Sequence, residues 1–368
     1  MIQVQHDEVG GDRLVLTQKG PLKSFLFLSL RNGLLNVITL TLYRFWGRTE
    51  VRRRLWATTY LNDDPFEYTG KGIELFLGFL FAIGVVVLPF LIVLFGAQFL
   101  GPALAGLVIL PLYIFLLFVF GFGRFTAFRY LATRTSWRGV RFHLRGSPTG
   151  FGLAWLGYVL LSAVTLGWFW PAAQRRLSGR LWGGLSFGNH NFQFHPEEAR
   201  RVGVYGSYAV GWVLGIVGYV IFVAVIVATL APQIAAAQKT GAPPGFTLAH
   251  MATIYIATGG LTLFYVFALA PFHAAMLRSV VAGIGFADVR FKLQLGWLEF
   301  ALLAVSNIVL LTISLGFLMP FVEARSRKFL IARLDTRGAF DLAVIGQGDA
   351  PRPSTGEGLA DAFGVATV

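Results

Sequence analysis

FLFLSLRNGLLNVITLTLYRFWGRTEVRRRLWATTYLNDDPF, residues 25–66, is the stretch on which the fold of this chain turns. It lies without gaps on FGLAWLGYVLLSAVTLGWFWPAAQRRLSGRLWGGLSFGNHNF, residues 151–192. The pairing sets Thr39-Leu40 on Thr165-Leu166, Arg54-Leu55-Trp56 on Arg180-Leu181-Trp182, and Phe66-Glu67-Tyr68 on Phe192-Gln193-Phe194. A third copy follows the second. Arg141-Phe142-His143-Leu144 falls on Arg290-Phe291-Lys292-Leu293, and Thr165-Leu166-Gly167 on Ser314-Leu315-Gly316. Each copy reads as short strand, apolar segment, Thr/Ser-Leu turn, Arg-rich stretch, short strand. A unit that recurs at this length is weighed before single residues, because it decides the architecture. The copies span about 13–70, 141–194 and 290–342.

Composition sets the class around these units. The chain is 55% hydrophobic and only 13% charged, against about 25% charged in an ordinary soluble domain. Several apolar runs exceed the roughly 18 residues that separate a membrane span from a buried core helix. The 35 Phe suit a lipid-facing surface. The net charge of +13 reads as basic loops beside membrane segments rather than as a nucleic-acid footprint, since no nucleic-acid fold signature accompanies it. With no cysteine, disulfides, thiolate metal sites and a cysteine nucleophile are excluded. Met1–Gly20 is polar and lacks the apolar core of a signal peptide. The Gly/Pro/Asp-rich tail, 346–368, is expected to be disordered.

Seven apolar segments stand out. Four are long: Leu75–Ala97, Ala103–Phe122, Val204–Leu230 and Leu248–Pro271. Three belong to the repeats: Phe25–Tyr43, Phe151–Trp170 and Trp297–Met319. Pro89 and Pro111 predict kinks in the long segments. Loop 124–149 carries six Lys and Arg, and loop 172–202 carries five. Were every segment to span, these basic loops would lie on opposite faces, against the positive-inside rule. The expectation is therefore two spanning hairpins, about 75–122 and 204–271. The repeat segments would be re-entrant or interfacial helical hairpins. Their flanking strands, Arg141–Leu144 and Asn191–Phe194, would pair on one side. Seven ordinary spans is the alternative. The fold class read from this is an all-α integral membrane protein: a multi-pass helical bundle, residues 1–345, with three internal repeats.

The run from Arg44 to Trp56 predicts an amphipathic helix at headgroup level. Arg44, Arg48 and Arg52 recur at i, i+4, with Phe45, Val51, Leu55 and Trp56 as apolar partners. Arg53 and Arg54 join them, and Arg175, Arg176 and Arg180 are their counterparts in the second copy. These eight are the candidate lipid- or partner-binding face. The competing reading is that they are topology signals alone.

Thr39-Leu40-Thr41-Leu42-Tyr43-Arg44-Phe45-Trp46, then Val51-Arg52-Arg53-Arg54, then Pro65-Phe66-Glu67-Tyr68-Thr69-Gly70, resembles the signature of the YjgN-like bacterial inner-membrane proteins. The likeness runs from about residue 13 to 345. Thr41 stands where that signature has Gly, whereas Gly167 and Gly316 keep it. The third copy departs from the aromatic strand and reads Phe340-Asp341-Leu342. The resemblance implies a multi-pass protein of the bacterial inner membrane. It supplies no activity and no catalytic residue. It also implies a membrane metallopeptidase as a partner, since members are often encoded beside one.

Motifs that would carry chemistry are sparse. His190, His195, Glu197 and Glu198 are the best metal candidate, but two positions of odd separation on a strand face opposite sides. The competing reading pairs the carboxylates with Arg200 and Arg201. No metalloprotease, phosphate-loop or nucleophile-elbow pattern occurs. For a transport pathway, polar residues inside apolar segments are the pointer. They are Arg31, Asn32 and Asn36 in the first copy, and Glu299 and Asn307 in the third. Glu299 at a helix start is also a favourable N-terminal charge. The expected role is a non-enzymatic scaffold or accessory subunit, with no cofactor and no metal. Its partners would be anionic lipid such as cardiolipin or phosphatidylglycerol, or a membrane protein. A transporter or channel is the alternative. Both termini are expected in the cytoplasm.

Overall fold

The computed structural model describes residues 13–241, 245 and 247–348. Among these residues ten short strands and twelve α-helices follow one another in a regular order. In the first block, β1 (Leu16–Gln18) leads to the helix pair α1 (Lys23–Ile38) and α2 (Arg44–Ala57), then to β2 (Thr59–Leu61) and β3 (Asp64–Tyr68). The second block runs β4 (Thr135–Trp137), β5 (Val140–Leu144), α6 (Pro148–Val164), α7 (Trp170–Trp182), β6 (Leu185–Phe187), β7 (His190–Phe194) and α8 (Pro196–Arg201). The third runs β8 (Ile284–Phe286), β9 (Val289–Leu293), α11 (Trp297–Ile313), α12 (Met319–Ile331) and β10 (Leu334–Arg337). Between the blocks lie two long hairpins. One consists of α3 (Gly72–Ala82), α4 (Leu88–Ala97) and α5 (Gly101–Thr133). The other is α9 (Tyr205–Thr240) with α10 (Leu248–Gly283).

The Thr/Ser-Leu motif is the corner of each helix pair. Leu40, Leu166 and Leu315 take φ of 47°, 50° and 51°, and the next residues, Thr41, Gly167 and Gly316, take 72°, 91° and 83°. The hydroxyl before each corner then accepts the backbone N–H four residues on: Thr39 from Tyr43, Thr165 from Phe169, Ser314 from Leu318. The amides of Thr41, Gly167 and Gly316 bond back to Asn36, Ser162 and Leu311, as helix C-caps in the left-handed region do. Glycine adopts that region freely, while a β-branched residue such as Thr41 is strained there.

The strands correct the all-α expectation. All ten form one antiparallel sheet in strict chain order, β1 through β10. Four tight hairpins supply four of the nine pairings. Their two-residue turns are Asn62-Asp63, Arg138-Gly139, Gly188-Asn189 and Ala287-Asp288. The first two turns place both residues at positive φ, which matches the twist of the flanking strands. The flanking strands of the second pair do not bond to each other directly. Strand β5 pairs with β6, and β6 with β7. The sheet escapes a reading based on period because strands of three to five residues hold too few alternations to show one.

The sheet curls around an aromatic core. Phe66, Phe142, Phe192 and Phe291, one from each five-residue strand, pack with Leu61, Trp137, Phe187, Phe286 and Val289. Phe142 stacks on Phe187 at 4.4 Å, and Phe192 meets Phe286 at 4.8 Å. The two edges nearly meet. Arg13 donates to the Thr336 carbonyl at 2.9 Å and pairs with Asp335, while the Thr336 hydroxyl donates to the Leu14 carbonyl. Beyond β10, Leu342 and Ile345 enter the same core, and Gly346 exchanges hydrogen bonds with Asn189. The start of the expected disordered tail is thus ordered against the β6–β7 turn. Residues 349–368 and 1–12 lie outside the described residues.

Sheet pairing fixes how the helices run. Because β3 pairs with β4 and β7 with β8, both feet of each long hairpin stand on the sheet. Because β1 pairs with β2, β5 with β6 and β9 with β10, each helix pair also leaves and returns there. Among the described residues four helices are long and apolar enough to cross a membrane: Gly72–Ala97, Leu104–Thr133, Tyr205–Thr240 and Leu248–Gly283. Helices α6 and α11 have 17 residues each, about 26 Å at 1.5 Å per residue, short of a bilayer core of about 30 Å. At Pro89 the helical ladder shifts to a π-helical turn over Ile83–Val87, whereas α5 runs unbroken through Pro111. Pro111 therefore breaks no helix.

Neighbouring helices complete a circuit above the sheet. Helix α3 packs on α2, α5 on α6, α7 on α10, α10 on α11, and α12 on α1. The seams are close. A Cβ on Gly121 of α5 would lie 2.4 Å from Trp155 of α6, and one on Gly33 of α1 would lie 2.8 Å from Phe317.

Candidate functional site

The predicted basic residues divide between inside and outside. On α2 the face built by Phe45, Val51, Leu55 and Trp56 is buried in a core with Tyr68, Leu75 and Tyr130. Arg52 lies on that inner side, only 7% exposed, with its guanidinium 3.4 Å from the Tyr68 hydroxyl. Arg48 is half-buried nearby. Arg53 and Arg54 are exposed; they donate to the carbonyls of Gly70 at 3.1 Å and Ser24 at 3.2 Å. Arg44 is exposed and lies over the Phe79 ring at 4.5 Å.

The second pair repeats part of this arrangement. Arg180 donates to the Gly150 carbonyl at 3.4 Å, and the gapless alignment sets Arg180 on Arg54 and Gly150 on Ser24. Both arginines thus tie the second helix of a pair to the start of the first. Arg176 is exposed and covers the Phe169 ring at 5.2 Å. Arg175 turns inward instead, donating to Ser279 at 2.8 Å and the Val202 carbonyl at 2.7 Å. Burial lowers its pKa below the usual arginine value.

Four of the five predicted pathway residues are engaged locally, Asn36 being the exception. Arg31 pairs with Glu50 across α1 and α2, and Asn32 donates to the Gly47 carbonyl at 3.4 Å. Asn307 donates to Ser326 at 2.9 Å and accepts from Arg325 at 2.8 Å across α11 and α12. Glu299, exposed in the first turn of α11, accepts from Arg333 at 2.9 Å. Asn36 has a buried side-chain oxygen without a partner. These groups tie helix to helix, and the structure does not bring the two sets together.

The histidine cluster does not converge. His190 begins β7, meeting Phe340 at 5.0 Å, while His195 follows the far end of the strand, 3.6 Å from Glu197. Glu198 pairs with Arg201 at 2.8 Å. Among the described residues no group of three or more His, Asp and Glu is placed to hold a metal.

Sequence reasoning missed Arg327. Its guanidinium lies over the Trp56 ring at 4.6 Å, and burial lowers its pKa, opposed by Glu323 and reinforced by the like charge of Arg52. The signal was present: extending the alignments sets Arg327 on Ser178, and Ser178 on Arg52.

Each helix pair ends in an exposed apolar corner. Leu40 is 84%, Leu166 72% and Leu315 86% exposed, with Ile38, Val164 and Ile313 beside them. Apart from Arg31 on α1, the exposed arginines of the first two pairs lie on the second helix of each pair, between the corner and the sheet. A cavity of about 550 Å³ opens between α1 and α2. It is lined by Phe27, Leu28, Arg31, Glu50, Arg53, Arg54 and Ala57.

The sequence profile of a family described as bacterial protein of unknown function, DUF898, matches residues 14–362. The chain is also 31% identical over 129 residues to the inner membrane protein YjgN of Salmonella typhimurium strain LT2. That match covers 35% of this chain and 30% of the relative, so the chain aligns with less than a third of the relative's length. No solved structure matches the chain.

Proposed function

The chain belongs to the bacterial DUF898 family, and from that premise we propose that it is a non-enzymatic membrane scaffold that binds anionic lipid through its helix pairs. One observation carries the reading: apolar corners and exposed arginines alternate with depth. Leu40, Leu166 and Leu315 would sit among acyl chains, and Arg44, Arg53, Arg54, Arg176 and Arg180 would meet phosphates nearer the sheet. This is the physics of an interfacial amphipathic helix, folded back on itself. Each basic residue near an anionic surface contributes about 1 kcal/mol.

The same charge supports a cytoplasmic sheet and cytoplasmic termini, by the positive-inside rule. The inner-membrane location carried by the YjgN relative's name fits that placement. A membrane metallopeptidase, the partner implied by the family resemblance, would be held on the same basic face.

Lipid retention tests the reading. The full chain, carried from nanodiscs into native mass spectrometry, should keep cardiolipin or phosphatidylglycerol in preference to phosphatidylcholine. Changing Arg53, Arg54, Arg176 and Arg180 together to Gln should erase that preference. A folded variant with unchanged retention would reduce these arginines to topology signals. Orientation is read separately with an impermeant thiol reagent on single cysteines in this cysteine-free chain. Labelling of Ser178→Cys from outside the cell would overturn the cytoplasmic placement.

A further inference from the structure

We propose that the cavity between α1 and α2 is a discrete headgroup site for one phosphate-bearing lipid, with Arg31, Arg53 and Arg54 as its phosphate ligands. This rests on the lipid-binding reading above, and it says where one lipid is held specifically. Three guanidinia and one carboxylate line a space of about 550 Å³. Arg53 and Arg54 are each fixed by one hydrogen bond to a backbone carbonyl. A guanidinium carries five N–H donors in a rigid fork, so each keeps donors for a phosphate oxygen. Arg31 is held toward them by Glu50 and also reaches the Asn32 side chain at 3.3 Å.

The surroundings suit a lipid better than a free anion. Phe27, Leu30 and Leu34 are exposed on the α1 face that carries Arg31, at helical i, i+3, i+4 and i+7 spacing. From Arg31 to Ile38 the helix rises about 10 Å, so a phosphate at the arginines leaves an apolar track toward the exposed corner for an acyl chain.

Only the first pair has this set. The gapless alignment places Gly157 on Arg31 and Gly179 on Arg53. In the third pair Ser306 stands on the Arg31 position and Phe329 on the Arg54 position, and Arg325 is engaged by Ser306 and Asn307. Glu50 has a second consequence. It competes with a phosphate for Arg31, so removing its charge should tighten binding rather than weaken it.

The test is a titration of the full-length protein with dioleoyl phosphatidylglycerol, read by native mass spectrometry on four proteins. Two arginines at the usual worth of a basic residue near an anionic surface predict that Arg53→Gln/Arg54→Gln weakens the first lipid-binding step about thirtyfold. Glu50→Gln should strengthen that step, a gain that misfolding does not produce. Arg176→Gln/Arg180→Gln, on the second pair, should weaken chiefly the later lipid-binding steps, and the first step far less than Arg53→Gln/Arg54→Gln does. Equal weakening by the two arginine double variants would overturn the discrete site and keep the distributed basic face. No weakening by either, in variants that melt like wild type, would sink both ideas. Inorganic phosphate supplies the last arm. If it binds in an Arg53- and Arg54-dependent manner while phosphatidylglycerol is not retained, the cavity is a soluble-anion site and the lipid assignment is wrong.

Discussion

The interior of the sheet and the surfaces of the spanning helices are built from the same residues and treat them in opposite ways. Phenylalanine fills the sheet, where Trp137 and Phe187 are almost completely hidden. In the most apolar 18-residue stretch of each of the four candidate spans only 6–11% of residues are buried, although phenylalanine, leucine and valine dominate there too. The difference lies in the solvent. Water drives apolar groups out of contact with itself, at about 25 cal/mol per Å². Lipid exerts no such force, so spans associate through small residues and shape. Hydrophobicity therefore fixes residue depth in the sheet, and glycine fixes helix spacing at the spans. Gly211 and Gly218 of α9 show it, sitting against Ala268 and Phe264 of α10.

The sharpest break of that contrast is in the sheet. Trp137→Ala should cost about 3–5 kcal/mol, the range for truncating a buried large aromatic. It removes a side chain that is 1% exposed and frees the Asp64 carbonyl that its indole N–H reaches at 3.1 Å. A thermal melt in dodecyl maltoside should fall by many degrees; an unchanged midpoint would mean that the sheet is not a packed core. Next is the glycine seam. Gly121→Leu drives a side chain into Trp155, and overpacking of this kind costs about 1–3 kcal/mol. Cysteine pairs placed across α5 and α6 should then crosslink less well.

Smaller effects probe the polar ties and the lipid-facing surface. Asn307→Leu removes two hydrogen bonds between α11 and α12 and should lower stability by about 1 kcal/mol. If Asn307 lines a pathway instead, transport would change while the melt stayed fixed. Leu107→Ala, on an α5 side chain that is 71% exposed, should shift stability by no more than about 0.5 kcal/mol. A drop like that of Trp137→Ala would show that this face is packed against protein.

The smallest effect belongs to Lys19 and Asp63, paired at 2.6 Å on the surface. The hydrogen bond from Lys19 holds the Asp63 carboxyl below its ordinary pKa. Its contribution is therefore present above the usual carboxylate value and fades as pH falls through the lowered one. Asp63→Asn, which suits the positive-φ turn, should alter the acid limb of an unfolding titration only slightly and leave neutral pH untouched.

How much could be read beforehand differs by element. The Thr/Ser-Leu corners were visible because three hydroxyls perform one local hydrogen bond at three places. The long hairpins were visible from length and hydropathy alone. Of the eight basic residues singled out, five proved exposed, while Arg48, Arg52 and Arg175 turned inward. That division depends on which side of α2 or α7 meets a neighbour, and an evenly spread charge pattern does not reveal it. The cavity at Arg31 was hidden for the same reason: Arg31 and Arg54 are far apart in the chain and meet only once α1 folds back on α2.

The sequence by itself determined the class of this protein, its long apolar hairpins and the corners of its helix pairs, since each is written in a contiguous run whose physics is local. The tertiary structure alone decided the ten-stranded sheet. Strand β3 must find β4 across a whole hairpin, as Phe66 finds Trp137, and β7 must find β8 in the same way. Pairing at such separation is chosen by the shared aromatic core that it closes, because a strand of three residues has no pattern strong enough to specify its partner.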